Sequence, residues 1–240
     1  MDDNTKNDIV EKAKVWMREG LIESHRKNTE KLTKVEEFNI NPFLLPYLGN
    51  FLKGNAEPET LAKVLLYPRI LGTSITTSFG TQMQRFISVV LEGYGSATAG
   101  IDIEFADKID GRRKYAQLKS GPNAINRDDV TTIKDHFREL INRARTNSLD
   151  IQHNDLVFCL LYGEEEEKNG FVKELEADYT VHMGKEFWTR FTGDEQFYRD
   201  LSIAMAEVAN EVDMKEMVER VIEELAPKIK VKFDEIYGEQ

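Results

Sequence analysis

Over residues 6–36 the apolar positions Ile9, Ala13, Trp16, Leu21 and Ile22 recur at helical spacing between charged ones, which predicts an amphipathic helix. Asn41-Pro42 and Leu45-Pro46 break it, because the residue before a proline is driven out of the helical region. Residues 58–66 predict a second helix, ended before Pro68. Gly72 to Gly80 is uncharged and rich in Thr, Ser and Gly, and reads as a buried or ligand-facing loop. Thr81 and Gln84 have the spacing of a capping box for a helix through Glu92.

The period then changes. Ile101-Asp102-Ile103-Glu104-Phe105 alternates apolar and acidic residues, the mark of a strand with one buried and one polar face. Asp110-Gly111 signals a tight turn, and the chain returns as Tyr115-Ala116-Gln117-Leu118-Lys119. Gly121-Pro122 ends that strand, and Asp128 can cap a helix from Asp129 to about Asn147. Leu156 to Tyr162 is almost unbroken apolar sequence, expected of a central strand buried on both faces. A short strand near Tyr179 to His182 follows, then helices over 184–191, 195–211, 213–225 and 228–237. The order implies an α/β fold whose sheet is mixed, because it contains a hairpin, with additional helices at both ends.

Composition narrows the class. The 240 residues, 40% hydrophobic, suffice for one large core or a domain with an appendage. No run approaches the roughly 18 apolar residues of a membrane helix, and Met1-Asp2-Asp3-Asn4 has no secretory pattern, so no membrane partner is expected. The lone cysteine, Cys159, fits a reducing, cytoplasmic compartment and reads as core packing. A net charge of −11 argues at first against a nucleic-acid partner. Its distribution reverses that argument. Residues 1–60 carry −2, residues 61–149 carry +4 and residues 150–240 carry −13, so the hairpin region is mildly basic.

The hairpin carries the chemistry. Its polar face presents Asp102 and Glu104, about 7 Å apart along one strand, and the return can bring Gln117 and Lys119 opposite. Oxygen ligands of this kind suit a hard cation such as Mg²⁺, with Mn²⁺ as a substitute. A lysine beside such a cation can hold water and stabilise developing negative charge. Together these are the parts needed to hydrolyse a phosphodiester. The plain alternative is a solvated hairpin. Against it stands the uncharged, turn-rich segment Ser120 to Asn126 beside the cation position, and a helix behind it with Lys134, His136, Arg138, Arg143 and Arg145. Other candidates have structural readings. Glu92 and His136 read as surface groups, Phe187 and Trp188 as core, and His153 and His182 lack the spaced partners of a zinc site.

Asp102, followed after fourteen residues by Gln117-Leu118-Lys119, resembles the PD-(D/E)xK nuclease signature. Asn41-Pro42-Phe43, Gly72-Thr73-Ser74, Gly121-Pro122-Asn123 and Gly184-Lys185-Glu186-Phe187-Trp188 extend the resemblance over about residues 38–195. They are similar to the type II restriction endonucleases, specifically the group whose best-known member cuts RGGNCCY. The resemblance implies a PD-(D/E)xK nuclease-like mixed central sheet flanked by helices. It also implies Mg²⁺-dependent cleavage of double-stranded DNA at a short palindrome, leaving 5′-phosphates. Asp102, Gln117 and Lys119 would be catalytic, and the metal would be held by Asp102, Gln117 and the Leu118 main-chain carbonyl.

Ile101 stands where the signature has Pro. Gln117 replaces its acidic residue, so Glu104 or Glu92 is the candidate to compensate. Ser120, Asn123 and Asn126 are candidate DNA contacts. Arg112, Arg113 and Lys114 at the turn read either as a phosphate clamp or as a solubilising turn. A palindrome read by identical subunits implies a homodimer, and a restriction enzyme implies a methyltransferase of the same specificity. On this reading residues 1–70 are an N-terminal helical region contributing to dimerisation, 71–195 the nuclease core and 196–240 a C-terminal helical extension packed on it. The alternatives are a structure-specific repair or recombination nuclease of the same superfamily, and a non-catalytic DNA-binding protein.

Overall fold

The computed structural model describes residues 1–212 and 214–237. In chain order it has helices α1 (Asp3–Trp16), α2 (Glu23–Glu30), α3 (Leu44–Lys53), α4 (Pro58–Pro68) and α5 (Ile75–Val90). Strands β1 (Ile103–Ala106) and β2 (Arg113–Lys119) follow, then α6 (Arg127–Thr146), β3 (Leu156–Leu160), α7 (Gly170–Glu176) and β4 (Thr180–Met183). Helices α8 (Lys185–Thr192), α9 (Phe197–Glu211) and α10 (Met214–Tyr237) complete the order. The chain divides into two compact units, one of Met1–Trp16 with Met83–Ala206, the other of Met17–Gln82 with Glu207–Gln240. No helix among the described residues is long and apolar enough to cross a membrane.

The first unit is built on a mixed four-stranded sheet in the order β1-β2-β3-β4. The expected hairpin is there: β1 and β2 run antiparallel, with Ile103 opposite Ala116 and Phe105 opposite Lys114. Strand β3 lies parallel to both β2 and β4. That explains its unbroken apolar run, since all five of its residues are buried. One face is covered by α6 and α7, through Val130, Ile133, Phe137 and Leu140 of α6 and Val172 and Leu175 of α7. On the other face α8 sets Phe187 and Phe191 edge-on to Phe105, with ring centroids 6.1 and 5.3 Å away. Trp188 donates its indole N–H to the Leu161 carbonyl at 2.9 Å. Helix α1 buries Ile9, Ala13 and Trp16, the last edge-on to Phe86.

The second unit is helical. Leu61, Ala62 and Leu66 of α4 pack with Val221, Ile222, Leu225 and Ile229 of α10. Several expectations need correction here. The helix expected over 6–36 starts at Asp3 and is interrupted by a π-turn, Met17–Ile22, that contains Gly20. Leu45-Pro46 does not break the chain. Pro46 falls in the first turn of α3, where no backbone N–H has a helical partner to lose, and Asn41 Oδ1 caps the turn by accepting from the Phe43 and Leu44 amides.

The loop expected over 72–80 is helical as well. From Pro68 the chain enters a π-turn, Arg69–Ser74, and continues as α5. Pro68 lacks the N–H for an α-helical bond, and the wider turn absorbs that loss. His25 Nε2 donates to the Ile70 carbonyl at 2.9 Å. Thr81 is therefore no cap; its hydroxyl donates to the Thr77 carbonyl one turn back. The break expected between 225 and 228 is also absent, because α10 runs through Pro227 with buried side chains on both sides of it.

Candidate active site

The candidate residues meet where β2 ends and α6 begins. Asp102 immediately precedes β1, and its amide donates to the Ala116 carbonyl at 2.9 Å. Continuing the register one step puts it opposite Gln117. Its Oδ2 accepts the Leu118 N–H at 2.7 Å. Burial pushes the Asp102 carboxyl above its ordinary pKa, against the opposing pull of the Leu118 amide and Lys119. A carboxylate in that state gains from an added cation.

Gln117 is almost buried, at 8% exposure. Its Nε2 donates to the Gly100 carbonyl and to His136 Nδ1, the latter at 2.7 Å. Lys119 is two residues on and faces the same way. Its Nζ lies 2.7 Å from Asp129 Oδ1. Asp129 has a second task. Its Oδ2 accepts the Asn126 amide at 2.9 Å, while Asn126 Oδ1 accepts the amides of Asp128 and Asp129. This reciprocal capping box starts α6 at Arg127, so Asn126 and not Asp128 is the cap. Burial opposes the Asp129 charge, but the Lys119 ammonium and the Asn126 amide outweigh it and hold its pKa below the ordinary value.

Other expected site residues lie elsewhere or are engaged. Glu104 accepts from Ser96 Oγ at 2.6 Å and Thr98 Oγ1 at 3.3 Å, and pairs with Arg113 at 2.7 Å. Glu92 pairs with Lys12 at 2.8 Å. Arg112 grips both oxygens of the buried Asp155, at 2.6 and 2.5 Å. Lys114 is buried, donating to the Asn154 carbonyl and pairing with Asp110. Arg112 just precedes β2 and Arg113 and Lys114 open it, so all three are at the other end of the strand, roughly 16–23 Å from Lys119 by strand rise. Arg112 and Lys114 are thus held in ion pairs at that end of the strand. Ser120 is buried, Asn126 is committed to its cap, and Asn123 is exposed in the turn after Lys119.

Sequence reasoning missed Asp129, and it read His136 as a surface group. Both lie on α6, seven residues and so two turns apart on one face, aimed at Lys119 and Gln117. That spacing was the available signal. No three His, Cys, Asp or Glu side chains gather into a cation site among the described residues. The donors that do fit a hard cation are the Asp102 carboxylate and neutral oxygens beside it, a set suited to an ion that keeps several waters.

A family model described as type II restriction endonuclease EcoO109I matches residues 11–213. No curated protein matches the chain. The match spans most of the chain and the whole of the Asp102, Gln117 and Lys119 constellation. The chain thus belongs to the EcoO109I family of type II restriction endonucleases, nucleases that act on DNA.

Proposed function

We propose that the protein is a Mg²⁺-dependent nuclease of the PD-(D/E)xK kind. It would cut both strands of duplex DNA at a short palindromic site and leave 5′-phosphate and 3′-hydroxyl ends. The observation that carries this is the meeting of Asp102, Gln117 and Lys119 at the carboxyl end of β2. Asp102 is the charged ligand and the Gln117 amide oxygen a neutral one. The Leu118 carbonyl is a third donor: a strand residue's N–H and C=O point to the same edge, and the Leu118 N–H points to Asp102. Mn²⁺ would fit the same oxygens. When bound, the cation supplies Lewis-acid polarisation of the scissile phosphate.

Lys119 holds the attacking water and steadies negative charge on the phosphorus oxygens. The water oxygen gives up a proton to solvent as it bonds to phosphorus, the bond to the 3′ oxygen breaks, and that oxygen takes a proton from solvent and leaves as the hydroxyl. Asp129 keeps the Lys119 ammonium at the sheet end. Asn123, exposed in the following turn, would be a DNA contact.

Cutting both strands of a palindrome calls for two such sites related by a two-fold axis. A surface on α3 supports the homodimer. Phe43 and Phe51 are 86% and 79% exposed, and Leu44, Tyr47, Leu48 and Leu52 are exposed beside them. This helix face carries no charge before Lys53, so its best complement is another apolar face such as its own copy. The cellular counterpart would be a methyltransferase of matching specificity in the same cytoplasm. The test is digestion of plasmid DNA with and without Mg²⁺, followed by sequencing of the ends. Discrete fragments with 5′-phosphates at a common palindrome are expected. Nicking confined to flaps or junctions, or cleavage indifferent to chelation, would overturn the reading.

A further inference from the structure

Gln117 departs from the acidic residue of the PD-(D/E)xK signature, and its surroundings show how an amide can serve there. A carboxylate has two equivalent oxygens, whereas an amide has one oxygen and one NH₂, and the NH₂ repels a cation. An amide ligand must therefore be held one way round. Two acceptors meet the nitrogen end of Gln117. The Gly100 carbonyl can only accept, so the group facing it must be Nε2. The same nitrogen lies 2.7 Å from His136 Nδ1, which makes Nδ1 an acceptor and puts the ring proton on Nε2. Both bonds hold the nitrogen, and the oxygen is the end left over.

The ring is itself fixed. Gly100 has φ +80°, and a Cβ there would lie 2.4 Å from His136 Cγ, so only glycine lets the imidazole sit against this turn. His136 stands on α6, which buried Ile133, Phe137 and Leu140 anchor in the core.

We infer that His136 is a positioning residue of the active site: with the Gly100 carbonyl it locks the Gln117 amide so that Oε1 is presented as the cation donor beside Asp102. This rests on Gln117 being a ligand, as proposed above. Helix α6 then sets both members of the Gln117-x-Lys119 pair, the glutamine through His136 and the lysine through Asp129.

The test is Mn²⁺ binding, followed by electron paramagnetic resonance on the full chain without DNA, with circular dichroism melts to confirm folding. His136→Leu keeps bulk but removes the acceptor, and is expected to weaken Mn²⁺ binding about tenfold or more. His136→Asn, whose Oδ1 can stand near the Nδ1 position, should restore most of it. In a Gln117→Glu background the orientation problem disappears, and adding His136→Leu should leave Mn²⁺ affinity unchanged. An equal loss in both backgrounds would make His136 a packing residue and overturn the inference. So would wild-type affinity in His136→Leu when Gln117→Ala binds weakly. Wild-type affinity in Gln117→Ala would instead sink the ligand reading itself, and this inference with it.

Discussion

On the proposed mechanism Asp102 and Lys119 do different work, and their substitutions should separate. Asp102→Asn would remove the proposed charged ligand and should lower cleavage by about 100-fold or more, with Mn²⁺ binding lost in parallel. Lys119→Ala should lower cleavage as far while leaving Mn²⁺ bound. Single-turnover rates beside metal titrations check both, and wild-type rates in either variant would displace the site.

Asp155 bears on stability rather than chemistry. The Arg112 guanidinium outweighs burial and holds its carboxyl below the usual carboxylate range. Its contribution is therefore complete above the unfolded value, about 3.9, and is lost as pH falls through the lower folded value. Asp155→Asn should cost roughly 2–3 kcal/mol at neutral pH, less than stranding a fully buried charge, because Arg112 is one-third exposed. The variant should also lose less stability than wild type when denaturant melts are taken from pH 5 to pH 3. A variant whose acid slope matches wild type would show that the pair does not set the acid limit.

At the scale of elements, α6 brings two partners, Asp129 and His136, to the candidate residues on β2. Truncating Phe137, fully buried between the helix and the sheet, should cost about 3–5 kcal/mol and be seen as a lowered melting temperature. Removing the cap by Asn126→Ala should cost about 1 kcal/mol. It should also reduce cleavage more than that loss alone explains, because the same box holds Asp129 against Lys119; cleavage assayed well below the melting temperature checks this. The hairpin and β3 were legible because alternation and unbroken apolarity are local signals. Asp102, Gln117 and Lys119 came from the same alternation. The partners across the site were not legible, since Asp129 and His136 reach β2 only after α6 folds back over the sheet. Helices α3 and α5 were obscured by punctuation: Pro46 and Pro68 read as breaks, yet one sits where a helix needs no donor and the other opens a π-turn. Helix α7 was too short to announce itself, although Asn169 caps it through two amides.

For the whole molecule, the acidic total proved a poor guide to partners. Residues 61–149, which hold the site, are net positive, and the family is one that acts on DNA. If α3 pairs with its copy, Phe51→Asp should shift the protein to monomer in sedimentation and slow double-strand cleavage. Metal binding should stay at its wild-type value. Persistence of the dimer would move the interface elsewhere.

Each unit is assembled from two separated stretches of chain, and this bears on synthesis. The unit with the sheet has all of its residues once residue 206 has emerged. The helical unit still waits for α10, whose Leu225 and Ile229 complete its core against α4. Residues 17–82 therefore leave the ribosome long before the partner helix that buries them. During that interval, closing the contact requires a loop of well over 100 residues, an ordering step that sequence-distant pairs make slow. If the dimer forms through α3, a new subunit would have its candidate cutting residues in place before it could pair, and could not yet make the paired cut.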